Sequence, residues 1–360
     1  MDFNRLDWLA QRVETAIDPR RAIVDPHHHF YDGGFLTYLA AHHLDNVTGS
    51  HNITKTVFVE TAVSYDMALP EHMQPVGETV FAVSQGDAVD AADGPPLAGI
   101  VAFADLMLGD TLNQVLDAHD AVSSGRLCSI RHTAGMDPSP DIPQGHGNPF
   151  PQMMGTDQFR AGLRTLVERN LAFDAWLFHP QLPEVAELAA AIPDLRVVVG
   201  HLGAPLGVGP YRDSREQVWA DWRVSMQAVA AQPNAVVKVG GIGMDFMFGT
   251  GWADLAVPPG SEEVAAYWSD AVRFCIDTFG PDRCMFESNY PIDRQTLTYP
   301  VLWNAFQIMA DSYSDAEQDE LFSGTATRTY RLGDEPMTTE EQLGMEGVGW
   351  DGDLDSTRSS

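Results

Sequence analysis

The chain has 360 residues with an ordinary share of apolar and charged side chains, which excludes disorder along its whole length and allows one large α/β domain or two smaller ones. Its 51 acidic against 21 basic residues give a net charge of −30 with no basic stripe to offset it, which excludes nucleic acid as a partner. No apolar stretch approaches the roughly 18 residues of a membrane span and no secretory leader opens the chain, so a cytoplasmic protein with no membrane partner is expected.

Residues 1–22 carry Leu6, Trp8, Leu9 and Val13 at helical spacing, which predicts an amphipathic N-terminal helix packed on the rest. From Ile23 the pattern changes to eight short β-branched or apolar runs, at 22–24, 55–59, 97–103, 129–132, 172–178, 196–200, 235–239 and 283–287. Helical stretches lie between most of them, at 111–123, 156–168, 183–191, 215–232 and 262–279, with a last helix at 314–322. Apolar strands alternating with amphipathic helices predict a parallel sheet covered by helices, and eight such units predict a (β/α)8 TIM barrel over residues 23–332. A doubly wound sheet is the alternative, but no Gly-rich dinucleotide-binding turn follows any run. Residues 333–360 are acidic with interspersed glycines and read as an arm or a disordered tail. Cys128, Cys275 and Cys284 have no metal or disulfide spacing and read as buried apolar residues.

In such a barrel the reacting groups sit at the carboxyl ends of the strands. The first run leads into Asp25-Pro26-His27-His28-His29, and strand alternation puts Asp25, His27 and His29 on one face, where two imidazoles can reach one ion or one carbonyl. His179 follows the fifth run and His201 the sixth. His42, His43, His51, His72, His119 and His146 fall in predicted helices or loops and read as structural. Arg131 ends the fourth run as a fork suited to a carboxylate or polarised carbonyl, with a salt bridge inside the barrel the alternative. Lys238 is similarly poised as a substrate contact, but a buried Lys needs a carboxylate, and Glu60, ending the second run, is the nearest candidate. Trp176, Phe178, Met153, Met154, Met244, Phe246, Met247 and Phe248 supply apolar surface near the loops at 137–154 and 240–251, which suits an apolar or aromatic part of a substrate.

The segments Val24-Asp25-Pro26-His27-His28-His29-Phe30, Val199-Gly200-His201-Leu202-Gly203 and Met285-Phe286-Glu287-Ser288-Asn289-Tyr290-Pro291 resemble the first-, sixth- and eighth-strand motifs of the amidohydrolase-2 family, in its lactonase-like branch of metal-dependent hydrolases. Runs 99–106, 130–132 and 237–241 are similar to its third, fourth and seventh strands. The resemblance implies that His27 and His29 are the paired first-strand histidines, His179 a candidate fifth-strand ligand and His201 the sixth-strand histidine; these either hold one divalent ion, zinc or manganese, or, without metal, polarise the carbonyl directly together with Arg131. It also implies Asp where this chain has Asn289. An amide cannot take a proton at neutral pH, so Glu287, two residues earlier, Asp293 in the next loop, or a histidine is expected to act instead. Asp293 is also a candidate substrate contact, and Glu287 a candidate salt-bridge partner of Lys238 or Arg131.

The leading expectation is a hydrolase opening a lactone, ester or amide of a small substrate by attack of an activated water. The alternatives are a decarboxylase of the same family, which needs no water-activating base, and an inactive binding barrel. Oligomeric state stays open, a homo-oligomer included.

Overall fold

A computed structural model describes residues 2–333; the expected acidic tail lies outside them. Eight parallel strands follow one another in space in chain order. They are β1 (Ala22–His28), β2 (Asn52–Val59), β3 (Leu97–Ala102), β4 (Leu127–Arg131), β5 (Ala172–Ala175), β6 (Val197–Val199), β7 (Ala235–Gly240) and β8 (Cys284–Glu287). The sheet curls round until His28 bridges Tyr290, with His29 N donating to Tyr290 O at 2.8 Å, so the barrel closes just beyond β8. This is the expected (β/α)8 barrel.

The helices are α1 (Leu6–Leu9), α2 (Ala40–Val47), α3 (Val76–Asp90), α4 (Leu112–Val122), α5 (Asp157–Glu168), α6 (Leu182–Ala191), α7 (Arg215–Ala230), α8 (Asp245–Phe248), α9 (Ser261–Phe279), α10 (Tyr299–Met309), α11 (Asp315–Asp319) and α12 (Thr325–Tyr330). Side chains can make their starts explicit: Thr156 caps α5 by accepting from Phe159 N, and Thr298 caps α10 by accepting from Val301 N ahead of Pro300. The expected N-terminal helix is only the single turn α1. Trp8 and Leu9 are buried, but Val13 is 85% exposed, so the apolar spacing does not continue into a second turn. Beyond it residues 12–17, an irregular segment, are tied down by polar bonds, among them Arg12 Nε to Pro258 O and Ile17 N to Asn304 Oδ1.

Two apolar clusters result. The larger fills the space between sheet and helices. The smaller is the barrel interior, where Val24, Val57, Val101, Ala172, Val198 and Met285 meet Ala326, Tyr330 and Leu332. The C-terminal helix α12 thus stoppers the end of the barrel opposite the site, with Lys55 Nζ donating to Leu332 O at 2.7 Å. Burial on both faces of the strands is what the short β-branched or apolar runs encode. All three cysteines are free and buried.

Candidate active site

Glu287, the last residue of β8, is fully buried and clamps two imidazoles. Its Oε1 accepts from His201 N at 3.1 Å and contacts His201 Nδ1 at 2.7 Å, while Oε2 lies 2.6 Å from His27 Nδ1, out of line for a full hydrogen bond. So close to a carboxylate oxygen, His201 Nδ1 carries the proton, which leaves its Nε2 as an acceptor; His27 Nδ1 lies between Glu287 Oε2 and Lys238 Nζ, which is 3.4 Å away. His27 Nε2 is buried with no partner. The His27 ring centroid lies 4.9 Å from that of His29 and 4.7 Å from that of His201.

The backbone is shaped for this clamp. His201, Leu202, Gly203 and Ala204 are all left-handed, with φ of 50°, 57°, 67° and 45°, and Asn289 has φ 50°. Such conformations cost non-glycine residues on the order of 1 kcal/mol each and concentrate at functional sites. At the end of β7, a side chain on Gly240 would run into Glu287, and one on Gly241 (φ +68°), just past it, would come within 2.5 Å of His201 Nδ1.

His29 is held from the other side: its Nδ1 contacts Val59 O at 2.7 Å, and a carbonyl only accepts, so the proton is on Nδ1. Burial above all, then the positive charge of Arg131, pushes its pKa down to about 3, so it is neutral and its Nε2 is an acceptor. Burial, followed by the charge of Lys238, likewise holds His27 well below its ordinary value. Asn289 lies 3.3 Å away with Oδ1 toward His29 Nε2, because its Nδ2 donates to Asp293 Oδ1 at 2.9 Å.

A cavity of about 190 Å³ opens above these groups, lined by His29, Arg131, Trp176, His201 and Asn289, with Tyr31, Met244, Phe246 and Met247 around them. Arg131 reaches it from β4, its Nε on Glu60 Oε1 at 2.6 Å and its Nη2 on Glu60 O. The other Glu60 oxygen holds His146 Nε2 at 2.7 Å. Arg131 and then His146 hold the Glu60 carboxyl down at about 2 against the opposing effect of burial, so it stays ionised.

Several expectations need correction. His179 does not join the site: β5 stops at Ala175, so His179 begins the next turn, where its Nδ1 accepts from Leu206 N at 3.3 Å and its ring packs on Tyr211. Trp176 takes the wall position instead. Lys238 is no substrate contact and does not pair with Glu60 or Glu287. It lies deep in the barrel beneath the site, 3.4 Å from His27 Nδ1 and 2.9 Å from Asp174 Oδ1, which also accepts from Tyr330 Oη at 2.7 Å. Asp293 does not line the cavity either; it is fully buried and accepts from Asn289 and, at 2.8 Å, from Gly243 N. Asp25 leaves the histidine face because the β1 register shifts between Asp25 and His28, and it ties β1 to the turn after β8 through Ser288 N and to the start of α10 through Tyr299 Oη. Phe178, Met153, Met154 and Phe248 pack in the core, not on the cavity. His146, expected to be structural, lines the cavity, as does Thr61. Glu60 was legible by the same rule that found Arg131, a polar residue ending an apolar run; His146, on a long loop, carried no such signal.

The group His27, His201 and Glu287 offers donor atoms within 4.8 Å of one another, so the described residues include a cluster able to hold a metal ion. No helix among them is long and apolar enough to cross a membrane.

Comparisons with known proteins agree with this architecture. The chain is 29% identical over 325 residues to an uncharacterized protein, y4mH, of Sinorhizobium fredii, covering 86% of this chain and 99% of the relative. It is 29% identical over 177 residues to an L-fucono-1,5-lactonase of Burkholderia multivorans, a match spanning 48% of this chain and about half, 56%, of that enzyme. In fold it matches a crystal structure of an amidohydrolase from Burkholderia multivorans with bound zinc, with a TM-score of 0.65 at 21% identity over 87% of this chain and 100% of that one. The Amidohydrolase family profile matches residues 24–332, nearly the whole barrel, and the chain belongs to that family.

Proposed function

We propose that the protein hydrolyses a small lactone, with His201 as the general base and a divalent metal ion, zinc first, beside it. The observation that carries this reading is the Glu287–His201 contact at 2.7 Å: a carboxylate on Nδ1 fixes the tautomer and leaves Nε2 free to take a proton at the cavity wall. Asn289 cannot play that part, and the two Glu287 oxygens face the Nδ1 atoms of His201 and His27 rather than the cavity.

His201 Nε2 removes a proton from water as the water oxygen attacks the lactone carbonyl carbon. The ring C–O bond then breaks, the same proton passes to the departing oxygen, and a hydroxy acid results. Arg131, fixed by Glu60, places the N–H groups left over from that pair toward the carbonyl or a ring hydroxyl. Trp176, Phe246 and Met247 exclude bulk water.

The residues fit a metal ion. His29 Nε2 and Asn289 Oδ1 are two acceptors with no donor between them, and His27 Nε2 beside them is a buried nitrogen with no partner, on neutral imidazoles and an amide. When bound, the ion would supply Lewis-acid polarisation. A second arrangement, with the ion among His27, His201 and Glu287, is favoured by their mutual proximity. The lactonase relative supports a lactone over an amide or a decarboxylation substrate.

The test is acid release in a pH-stat from a panel of five- and six-membered lactones, aryl esters, anilides and aromatic carboxylic acids. Lactone opening that is lost in His201→Asn supports the reading. Carbon dioxide release from the acids, or turnover of esters or anilides alone, overturns it.

A further inference from the structure

The inner cavity of about 190 Å³ is matched to a single ring, yet a cleft of about 570 Å³ opens directly beside it. His146 lines both and forms the partition, packed on Phe103 with ring centroids 5.3 Å apart and held by Glu60. Two further features mark the cleft as built. First, its wall holds Ala62 and Asn148 in left-handed backbone, with φ of 58° and 55°, and the Ala62 segment is pinned by buried Glu78, whose Oε1 accepts from Thr61 N at 2.8 Å and Val63 N at 3.1 Å. Strained backbone persists only where the surroundings over-determine it. Second, Tyr65 lines the cleft, and its Oη is buried without any partner, a hydroxyl left for something else to satisfy.

We propose that this cleft is a second subsite, which takes a hydroxyl-rich glycosyl or polyol portion of the substrate while the lactone ring sits in the inner cavity. The proposal rests on the lactone-opening reading and extends it from a single ring to a two-part substrate. The chemistry of the wall selects this class. Asp105 and Glu71 accept hydroxyl protons, Gln74, Asn148 and His72, which also lines the cleft, both donate and accept, and the rings of Tyr65 and Phe103 offer apolar faces to C–H groups. No Lys or Arg lines the cleft and two carboxylates do, so an anionic extension is repelled. A long alkyl chain would desolvate these polar groups without replacing their hydrogen bonds.

The test compares kcat/KM for cellobiono-1,5-lactone and glucono-1,5-lactone in the wild type, Tyr65→Phe and His72→Ala, with melting temperature as a check on folding. The wild type is expected to favour the two-ring lactone by about tenfold or more, and each variant to cut that ratio by roughly three- to tenfold, one or two lost hydrogen bonds' worth. A ratio near one in the wild type, or one the variants leave unchanged, overturns the proposal. Binding of unreactive cellobiitol by calorimetry separates the two claims. Binding that weakens in Tyr65→Phe supports the subsite even if neither lactone turns over, in which case only the reaction is wrong. No binding of cellobiitol overturns the subsite even if glucono-1,5-lactone is opened.

Discussion

Asn289 and His29 present acceptor to acceptor, Oδ1 to Nε2 at 3.3 Å, because each has committed its donor elsewhere: the amide to Asp293, the imidazole to Val59 O. Left alone the pair is repulsive, and a cation, a water or a substrate hydroxyl between them makes it favourable. Asp293 is therefore a positioning residue that turns the amide oxygen forward. Asp293→Ala frees the amide to rotate. Zinc affinity of the metal-free protein, read by calorimetry, is expected to fall about 10–100-fold, as for other groups that orient metal ligands. Unchanged zinc affinity in a variant that still folds would show that the direction of the amide does not matter.

Glu287→Gln tests the clamp. An amide can accept from one imidazole but must turn its NH2 toward the other, so one of His27 and His201 loses its tautomer. Turnover is expected to drop by about 10²–10⁴ if base catalysis fails. The kcat pH profile should change with it. A variant whose kcat and pH profile match the wild type would remove Glu287 from the mechanism.

Lys238→Met strands Asp174, whose other partners are the Ser129 and Tyr330 hydroxyls. Breaking a buried pair costs about 3–5 kcal/mol, and urea denaturation should show a loss of that order. Because Lys238 does not line the cavity, KM is expected to stay within about threefold of the wild type, less than one hydrogen bond's contribution. A KM raised tenfold with stability intact would restore Lys238 as a substrate contact.

Behind the site, the rings of His28 and His43 stack with centroids 4.2 Å apart, and all four nitrogens are buried without partners. Phe30 and Tyr38 pack around His43, and burial pushes its pKa down to about 3. The unfolded chain takes up this proton near pH 6.5 and the folded one only near 3, so the stability is present above 6.5 and lost as pH falls between them. The loss from this residue alone reaches about 2 kcal/mol by pH 5. His43→Phe removes no hydrogen bond and should flatten the fall in melting temperature between pH 7 and 5. An identical pH dependence in wild type and variant would show that His43 does not govern acid stability.

The barrel was legible because most strands, buried on both faces, contain a short β-branched or apolar run. α10 was not, since almost every residue of Tyr299–Met309 is buried and leaves no polar stripe to mark a helix. α3 was missed for a related reason, its apolar residues being spread round the axis and interrupted by Gly77 and Gly86. In the site, parity along β1 correctly paired His27 with His29, but it could not foresee that β5 ends at Ala175 and turns His179 away. Nor could it tell that Glu287 would serve two histidines and Lys238 would find Asp174, because partners across a barrel depend on register between strands far apart in sequence.

The most direct measurement is metal content by mass spectrometry, taken with lactone turnover, on the purified protein and on His29→Ala and His201→Asn. The proposed site predicts about one divalent ion per wild-type chain, loss of the ion in His29→Ala, and retention of it in an inactive His201→Asn. Loss of the ion from His201→Asn with retention in His29→Ala would move the metal to the His27, His201 and Glu287 cluster and remove His201 as the base. A wild type that opens lactones with no metal, and is unaffected by added zinc or by a chelator, would contradict the metal site altogether.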